Sequence, residues 1–253
     1  MKKLEKRVAV VTGGSRGIGK GIALRFAEEG ADVAFCYHVN EEEAKKTKAE
    51  CEAFGVKVLA VKADVSDEDA VKSFAEKVKL EFGKVNILVN NAGYEGIETP
   101  ITELTKAEWD KVLGTDIGGV FLNCKHFIPI FEKGENAPVG KIINISSELS
   151  KLGREEYTHY TASKGAINTF TYSLALELCP DILVNAILPG PIATDMIVRD
   201  KTPEWIAIEA ESTLLKRLGK IEEVSATALL LASDDGDYFV GQLLSPNGGA
   251  VFF

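Results

Sequence analysis

Tyr160 and Lys164 stand four residues apart in Tyr160-Thr161-Ala162-Ser163-Lys164, a spacing that sets a phenol and an ammonium on one face of a helix. A free tyrosine ionises near about pH 10 and is a poor base at neutrality. A cation beside it favours the phenolate and draws the pKa toward the working range of an acid/base catalyst. Thirteen residues before the tyrosine, the apolar run Ile143-Asn144-Ile145 ends in Ser146-Ser147, where a hydroxyl is placed to hydrogen-bond a substrate oxygen. In isolation, tyrosine and lysine at this spacing are usually just a solvated helix face. Their weight comes from what precedes them along the chain: a glycine turn, then the polar strand end Asn90-Asn91-Ala92-Gly93, then the serine.

The glycine turn is Thr12-Gly13-Gly14-Ser15-Arg16-Gly17-Ile18-Gly19, directly after a Val-rich run and directly before an amphipathic segment. Strand, glycine turn and helix together form an anion site. Glycine lets the backbone approach a pyrophosphate, and the free N–H groups and dipole of the helix start favour its negative charge. The spacing is G-x-x-x-G-x-G through Gly13, Gly17 and Gly19. A free ribose 2′-hydroxyl is usually held by an acid at the end of the second strand, but here that end reads Cys36-Tyr37-His38-Val39-Asn40. Arg16, with His38 beside it, instead suits a 2′-phosphate, so NADP(H) is favoured over NAD(H). A P-loop nucleotidase is excluded because Gly19-Lys20-Gly21 lacks the hydroxyl that would hold magnesium.

The elements that must carry these groups alternate. Short apolar runs at Val8–Val11, Val33–Cys36, Val56–Val61, Val85–Val89, Lys141–Ile145 and Ile182–Ile187, with a seventh at Gln242–Leu244, predict strands. Segments with apolar residues at three- and four-residue intervals predict helices at 17–29, 41–54, 67–82, 105–132, 157–178 and 221–232. This is the pattern of an α/β chain whose parallel sheet is covered on both faces. Pro189-Gly190-Pro191 opens a stretch of mixed character, and residues 191–219, with Met196, Ile197, Trp205 and Ile206, are expected to form a lid with an apolar inner face.

Composition sets the limits. With 253 residues, 45% of them hydrophobic, one domain is expected. A net charge of −9 argues against nucleic acid or an anionic membrane surface as partner. No apolar stretch has the length of a membrane span, and no targeting segment is evident, so a cytoplasmic protein is expected. Cys36, Cys51, Cys124 and Cys179 are scattered, which suits reduced thiols rather than a zinc site or a disulfide framework, and no metal site is expected.

Taken together, Thr12–Gly19, Asp64-Val65, Asn90–Gly93, Ser147, Tyr160-x-x-x-Lys164 and Pro189-Gly190-Pro191-Ile192-Ala193-Thr194 resemble the short-chain dehydrogenase/reductase family over almost the whole chain. The resemblance implies a single Rossmann-like, doubly wound domain with a seven-stranded parallel sheet. It also implies a homotetramer or homodimer, and hydride transfer between nicotinamide and a carbonyl or secondary alcohol. By position, Tyr160 would be the general acid/base, Ser147 would steady the reacting oxygen, and Lys164 would hold the nicotinamide ribose. The same resemblance places Gly13, Ser15, Arg16, Gly17, Ile18, Gly19, His38, Asp64, Val65, Asn91, Ala92, Gly93, Pro189, Gly190, Ile192 and Thr194 around the cofactor.

The chain departs from the family at Asp116, which stands where an asparagine usually completes the catalytic group, within Thr115-Asp116-Ile117-Gly118-Gly119. Its charge is expected to pair with Lys164. Leu183, where an arginine is common, and Ser245 to Gly249, where an aspartate is usual, are lesser departures. Two subgroups are similar, the 3-oxoacyl-[acyl-carrier-protein] reductases and the bacterial glucose 1-dehydrogenases, so the expected substrate is a 3-oxoacyl thioester, a small ketone or a sugar. Glu95, Tyr157 and His159, with Ser147, are the candidate substrate contacts. Docking of an acidic carrier would need a basic patch, for which Lys106, Lys111, Lys125 and Lys133 are the candidates. The alternative to an enzyme is an NADPH-binding sensor or scaffold whose turnover Asp116 has impaired.

Overall fold

The computed structural model describes residues 2–134, 139–194, 197 and 201–252. Seven strands are found: β1 (Val8–Val11), β2 (Asp32–Tyr37), β3 (Val58–Lys62), β4 (Ile87–Asn90), β5 (Gly140–Ile145), β6 (Ile182–Ile187) and β7 (Leu243–Leu244). They form one sheet in the order β3-β2-β1-β4-β5-β6-β7, with every pairing parallel. Because all strands run the same way, Thr12, Asn90, Ser146 and Leu188 reach the same edge of the sheet. The order reverses between β1 and β4, and such a switch point leaves a crevice at the carboxyl ends of the strands. The expected doubly wound α/β fold is therefore present.

Among the described residues the helices are α1 (Gly17–Glu28), α2 (Glu41–Glu52), α3 (Glu68–Phe82), α4 (Lys106–Leu113), α5 (Gly119–Phe127), α6 (Leu149–Leu152), α7 (Thr158–Leu178), α8 (Pro203–Glu211) and α9 (Ile221–Ala232). Strand side chains alternate between two cores. Ala9 and Val11 join Ile22, Phe26, Val224 and Leu229 on the α1–α9 face. Val10 joins Phe74, Phe127, Ile167 and Leu174 on the face covered by α3, α5 and α7. Asp67 caps α3 by accepting from the Asp69 and Ala70 amides, and Gly83 closes that helix in the left-handed region at φ 75°.

The single helix expected over 105–132 is interrupted. Between α4 and α5 runs a π-helical turn, Gly114–Gly118, and the segment ends in a 3₁₀ turn at Ile128–Ile130. Gly119 lies flat on Val65, where a Cβ would come within 2.9 Å of the valine side chain. The wide turn carries Asp116 into the interior, fully buried. Two helices escaped the sequence reading. α6 is one turn long, and α8 lies inside the proposed lid, although Thr202-Pro203 is a cap followed by a first-turn proline, and the Thr202 hydroxyl accepts from the Trp205 amide. Of the expected lid residues, Met196 lies outside the described residues, while Trp205 and Ile206 are partly buried on α8.

Candidate functional site

The glycine turn is shaped by close approach. Gly13 and Gly17 have φ of 65° and 56°, which favours glycine. A Cβ on Gly19 would lie 2.3 Å from the Gly13 carbonyl oxygen and 2.4 Å from Asn91 Nδ2. Thr12 and Asn91 tie β1 to β4 across the crevice. The Thr12 hydroxyl accepts from the Asn91 and Ala92 amides, both at 2.9 Å, and Asn91 Nδ2 donates to the Thr12 and Gly13 carbonyls. Asn91 thus spends its side chain on shaping the turn. α1 follows Arg16 at its cap position, with no side-chain cap and no acid in its first turn, leaving its N-terminus uncommitted. The turn fits a pyrophosphate: its close-packed glycines and uncapped helix start form a cradle that added side chains would fill.

Around the turn, Ser15 is buried, Ile18 packs on the core, and Val65 is buried against Gly119. Arg16 is exposed, with no ion pair among the described residues. His38, just past β2, lies 3.6 Å from Asp64, whose carboxylate also accepts from the Ser66 amide and hydroxyl. Pro189, Gly190, Ile192 and Thr194 form the loop after β6. There Gly190 backs closely onto Asn247, and Thr194 faces Gly17, with its Cγ2 3.8 Å from where a Cβ would stand. This brings the post-β6 loop against the glycine turn.

Ser147, Tyr160, Lys164 and Asp116 come together at the ends of β5 and β4. Lys164 Nζ is buried, donates to the Ile145 carbonyl at 3.2 Å, lies 3.4 Å from Asp116 Oδ2 and sits 5.5 Å from the centre of the Tyr160 ring. Asp116 accepts from the Tyr94 amide and the Ser163 hydroxyl, both at 2.8 Å. Gly93 admits this arrangement, since its Cβ position is 3.2 Å from Lys164 Nζ and 3.3 Å from Asp116 Oδ1. The expected Asp116–Lys164 pairing is thus present, and Ser163 and Tyr94 are partners of Asp116 that sequence reasoning missed.

The charges set the protonation states. Burial works to discharge Lys164, yet Asp116, with the Tyr160 phenol, holds the ammonium above its ordinary value. Burial also raises the Tyr160 phenol; Lys164 opposes this, Asp116 and Glu95 reinforce it, and hydrogen bonding to Ser147 opposes it again. The net direction is upward. Lys164 does act on Tyr160 in the expected direction, but burial of the phenol outweighs it, with Asp116 adding to the upward push.

Tyr157 and His159, expected as substrate contacts, are buried. The Tyr157 hydroxyl donates to Glu98 at 2.7 Å, and its ring lies edge-on to Tyr160 and parallel to His159. Gly96 is pressed onto the His159 ring, and neither ring nitrogen has a hydrogen-bond partner. Glu95 is partly buried and acts on both phenols. α8 closes over this side through Arg154, which pairs with Glu209 and lies over the Tyr157 and Trp205 rings, and through Lys201, which bonds Glu98 at 3.0 Å. Glu148, next to Ser147, is a further buried acid that nothing in its sequence context marks.

Residues 13–251 match the family model described as Enoyl-(Acyl carrier protein) reductase. The chain is 37% identical to a "Short-chain type dehydrogenase/reductase" of Picea abies, covering 97% of this chain and 92% of that protein. The chain belongs to the short-chain dehydrogenase/reductase family. It is also 35% identical to "Glucose 1-dehydrogenase 2" of Bacillus subtilis, over 100% of this chain and 97% of that one. Among solved structures, a short-chain dehydrogenase from Burkholderia cenocepacia in complex with NADP superposes with a TM-score of 0.90 at 32% identity, covering 98% and 99% of the two chains. This family of oxidoreductases uses a nicotinamide cofactor. Among the described residues, no group of His, Cys, Asp and Glu is arranged to hold a metal ion, and no helix is long and apolar enough to cross a membrane. All four cysteines are free, and burial pushes the Cys36, Cys51 and Cys124 thiols up to about 12.

Proposed function

We propose that this protein is an NADP(H)-dependent oxidoreductase acting on a carbonyl or secondary alcohol, with Tyr160 as general acid/base. The observation that carries the reading is the convergence of Ser147, Tyr160 and the buried Lys164 at one sheet edge, beside a glycine cradle built for a pyrophosphate. When bound, the nicotinamide supplies or accepts a hydride at the reacting carbon. In the reductive direction Tyr160 gives its proton to the carbonyl oxygen, which Ser147 steadies by hydrogen bond. Lys164 holds positive charge beside the phenol, and Asp116 with Ile145 holds Lys164 in place. Burial raises the phenol against the pull of Lys164, in keeping with Tyr160 as the donor of the proton in the reductive direction.

The 2′-phosphate reading rests on charge. Arg16 stands exposed beside the turn, the end of β2 offers Tyr37 and His38 rather than an acid, and Asp64 is engaged by Ser66. The similar Burkholderia protein was solved with NADP. Among substrates, a sugar or small ketone fits better than a carrier-bound thioester. Lys106 is paired with Asp110, Lys125 with Glu68, and Lys111 lies over the Tyr94 ring, so three of the four candidate lysines are already engaged and Lys133 alone is a weak patch for an acidic carrier. Phe121 on α5 and Tyr172 and Leu176 on α7 are exposed, in keeping with a homotetramer or homodimer.

A second reading, an NADPH-binding sensor or scaffold, is favoured only by the Asp116–Lys164 ion pair, which draws charge from the tyrosine. One experiment separates the two: NADPH and NADH absorbance followed with purified protein against an acetoacetyl thioester, simple and cyclic ketones and, oxidatively, glucose. Turnover with NADPH preferred is expected. Tight NADPH binding without turnover on any substrate would establish the second reading.

A further inference from the structure

Among the described residues, the charged groups around the substrate side of the crevice are nearly all paired. Arg154 meets Glu209, while Lys201 and the Tyr157 hydroxyl meet Glu98. Glu148 is the exception. It follows Ser147 directly, is only 6% exposed, and its Oε2 is sealed from solvent without a hydrogen-bond partner. Its backbone is pinned, with the amide donating to the Pro189 carbonyl at 3.1 Å, so the side chain starts from a fixed point between Ser147 and the post-β6 loop. The charges acting on it are Glu209 of α8 and Arg154, whose guanidinium also covers Tyr157 and Trp205. The carboxyl therefore lies beside Ser147, within reach of the charges carried by Glu209 of α8 and by Arg154. A buried carboxyl with an unsatisfied oxygen costs stability, and a purely structural acid would have the partner that Glu98 and Glu209 have.

We propose that Glu148 is a specificity-determining residue, its carboxyl hydrogen-bonding a hydroxyl group carried by the substrate. The charges around it select that chemistry. An anionic substituent at this carboxyl would meet Glu209, and a cationic one would meet Arg154. A neutral hydroxyl can both donate and accept, so it satisfies the carboxyl in either protonation state. The substrate class is accordingly a polyhydroxylated carbonyl or alcohol rather than an apolar acyl chain. This deepens the oxidoreductase reading and rests on it.

The test compares the full-length protein with Glu148→Leu and Glu148→Gln in NADP⁺ reduction, using glucose and ribitol as polyol probes and cyclohexanol as the apolar one. Glu148→Leu is expected to raise KM for the better polyol by about tenfold or more, the worth of one buried hydrogen bond to a charged group, while leaving cyclohexanol unchanged or improved. Glu148→Gln, which keeps hydrogen-bonding capacity, is expected to restore much of the polyol KM, and it remains informative if the leucine variant fails to fold. A parallel rise in KM for polyol and cyclohexanol would show a merely structural role. An unchanged polyol KM in both variants, or wild-type turnover of cyclohexanol without either polyol, would overturn the proposal while leaving the oxidoreductase reading intact. Turnover of none of the three probes, nor of the ketone panel, would remove both.

Discussion

On the nucleotide side of the crevice hydrogen bonds tie the strand ends together, with Asn90 Oδ1 left over. Thr12 takes the Asn91 and Ala92 amides, Asn91 returns its side chain to the Thr12 and Gly13 carbonyls, and Asn90 donates to Asn144, which donates to Thr171. On the substrate side the chain leaves polar atoms over. Both His159 ring nitrogens and Glu148 Oε2 are buried without partners, and Asp116 brings a carboxylate into the heart of the catalytic group. The first side is finished by backbone geometry that any member of the family must reproduce to cradle a pyrophosphate. The second is finished by individual side chains, and it is there that one protein's chemistry can differ from another's.

The largest effect should come from breaking the closed side. Gly19→Val adds atoms where a Cβ already approaches the Gly13 oxygen and Asn91 within 2.4 Å. Nucleotide binding by calorimetry is expected to vanish, and retention of near wild-type affinity would show that the cradle is not the binding site. On its rim, Arg16→Ala is expected to weaken NADPH about 10- to 100-fold, the worth of a charge-assisted hydrogen bond, and to leave NADH nearly unchanged. Equal losses would defeat the 2′-phosphate argument.

The open side should give shifts rather than losses. Asp116 raises the Tyr160 pKa, so Asp116→Asn should lower it and move the alkaline rise of alcohol oxidation to lower pH. The amide can still accept from Tyr94 and face Ser163, and Lys164 keeps its bond to Ile145. An unmoved profile would mean the carboxylate does not act on the tyrosine. The smallest effect concerns Glu148, whose carboxyl burial, with Glu209 beside it, raises from 4.5 to about 7. A raised acid favours the folded state below about pH 4.5, and that advantage is lost as the pH rises through about 7. Wild-type melting temperature should therefore fall relative to Glu148→Gln across that window, and parallel curves would show that the carboxyl is not held in the protonated form.

The same division explains what could be read from the sequence. The glycines, Asn90–Gly93, Ser147 and Tyr160-x-x-x-Lys164 are legible because their spacing is fixed by strand ends and helix turns, and the parallel sheet brings every one to the same edge. The strand and helix pattern survives because apolar periodicity is strong wherever both faces are covered. What escaped depends on tertiary neighbours. The π turn at Gly114–Gly118 sits beside the close Gly119 contact with Val65, which no local pattern announces. The upward shift of Tyr160 depends first on its burial and then on the placement of Lys164 and Asp116 around it, none of which the residue identities announce. Glu148 reads in sequence as any acid after a serine, and only its burial marks it out. α8 is the one omission with a visible local signal, the Thr202-Pro203 helix start.

The central claim, that Tyr160 moves the proton in a site whose nucleotide half stands independently, is tested most directly by Tyr160→Phe with NADPH binding and ketone reduction measured on the same preparation. Binding is expected within a few-fold of wild type, with turnover reduced by about 10²- to 10⁴-fold, as for loss of a general acid. Turnover at the wild-type rate with binding intact would take the tyrosine out of the mechanism and contradict the account.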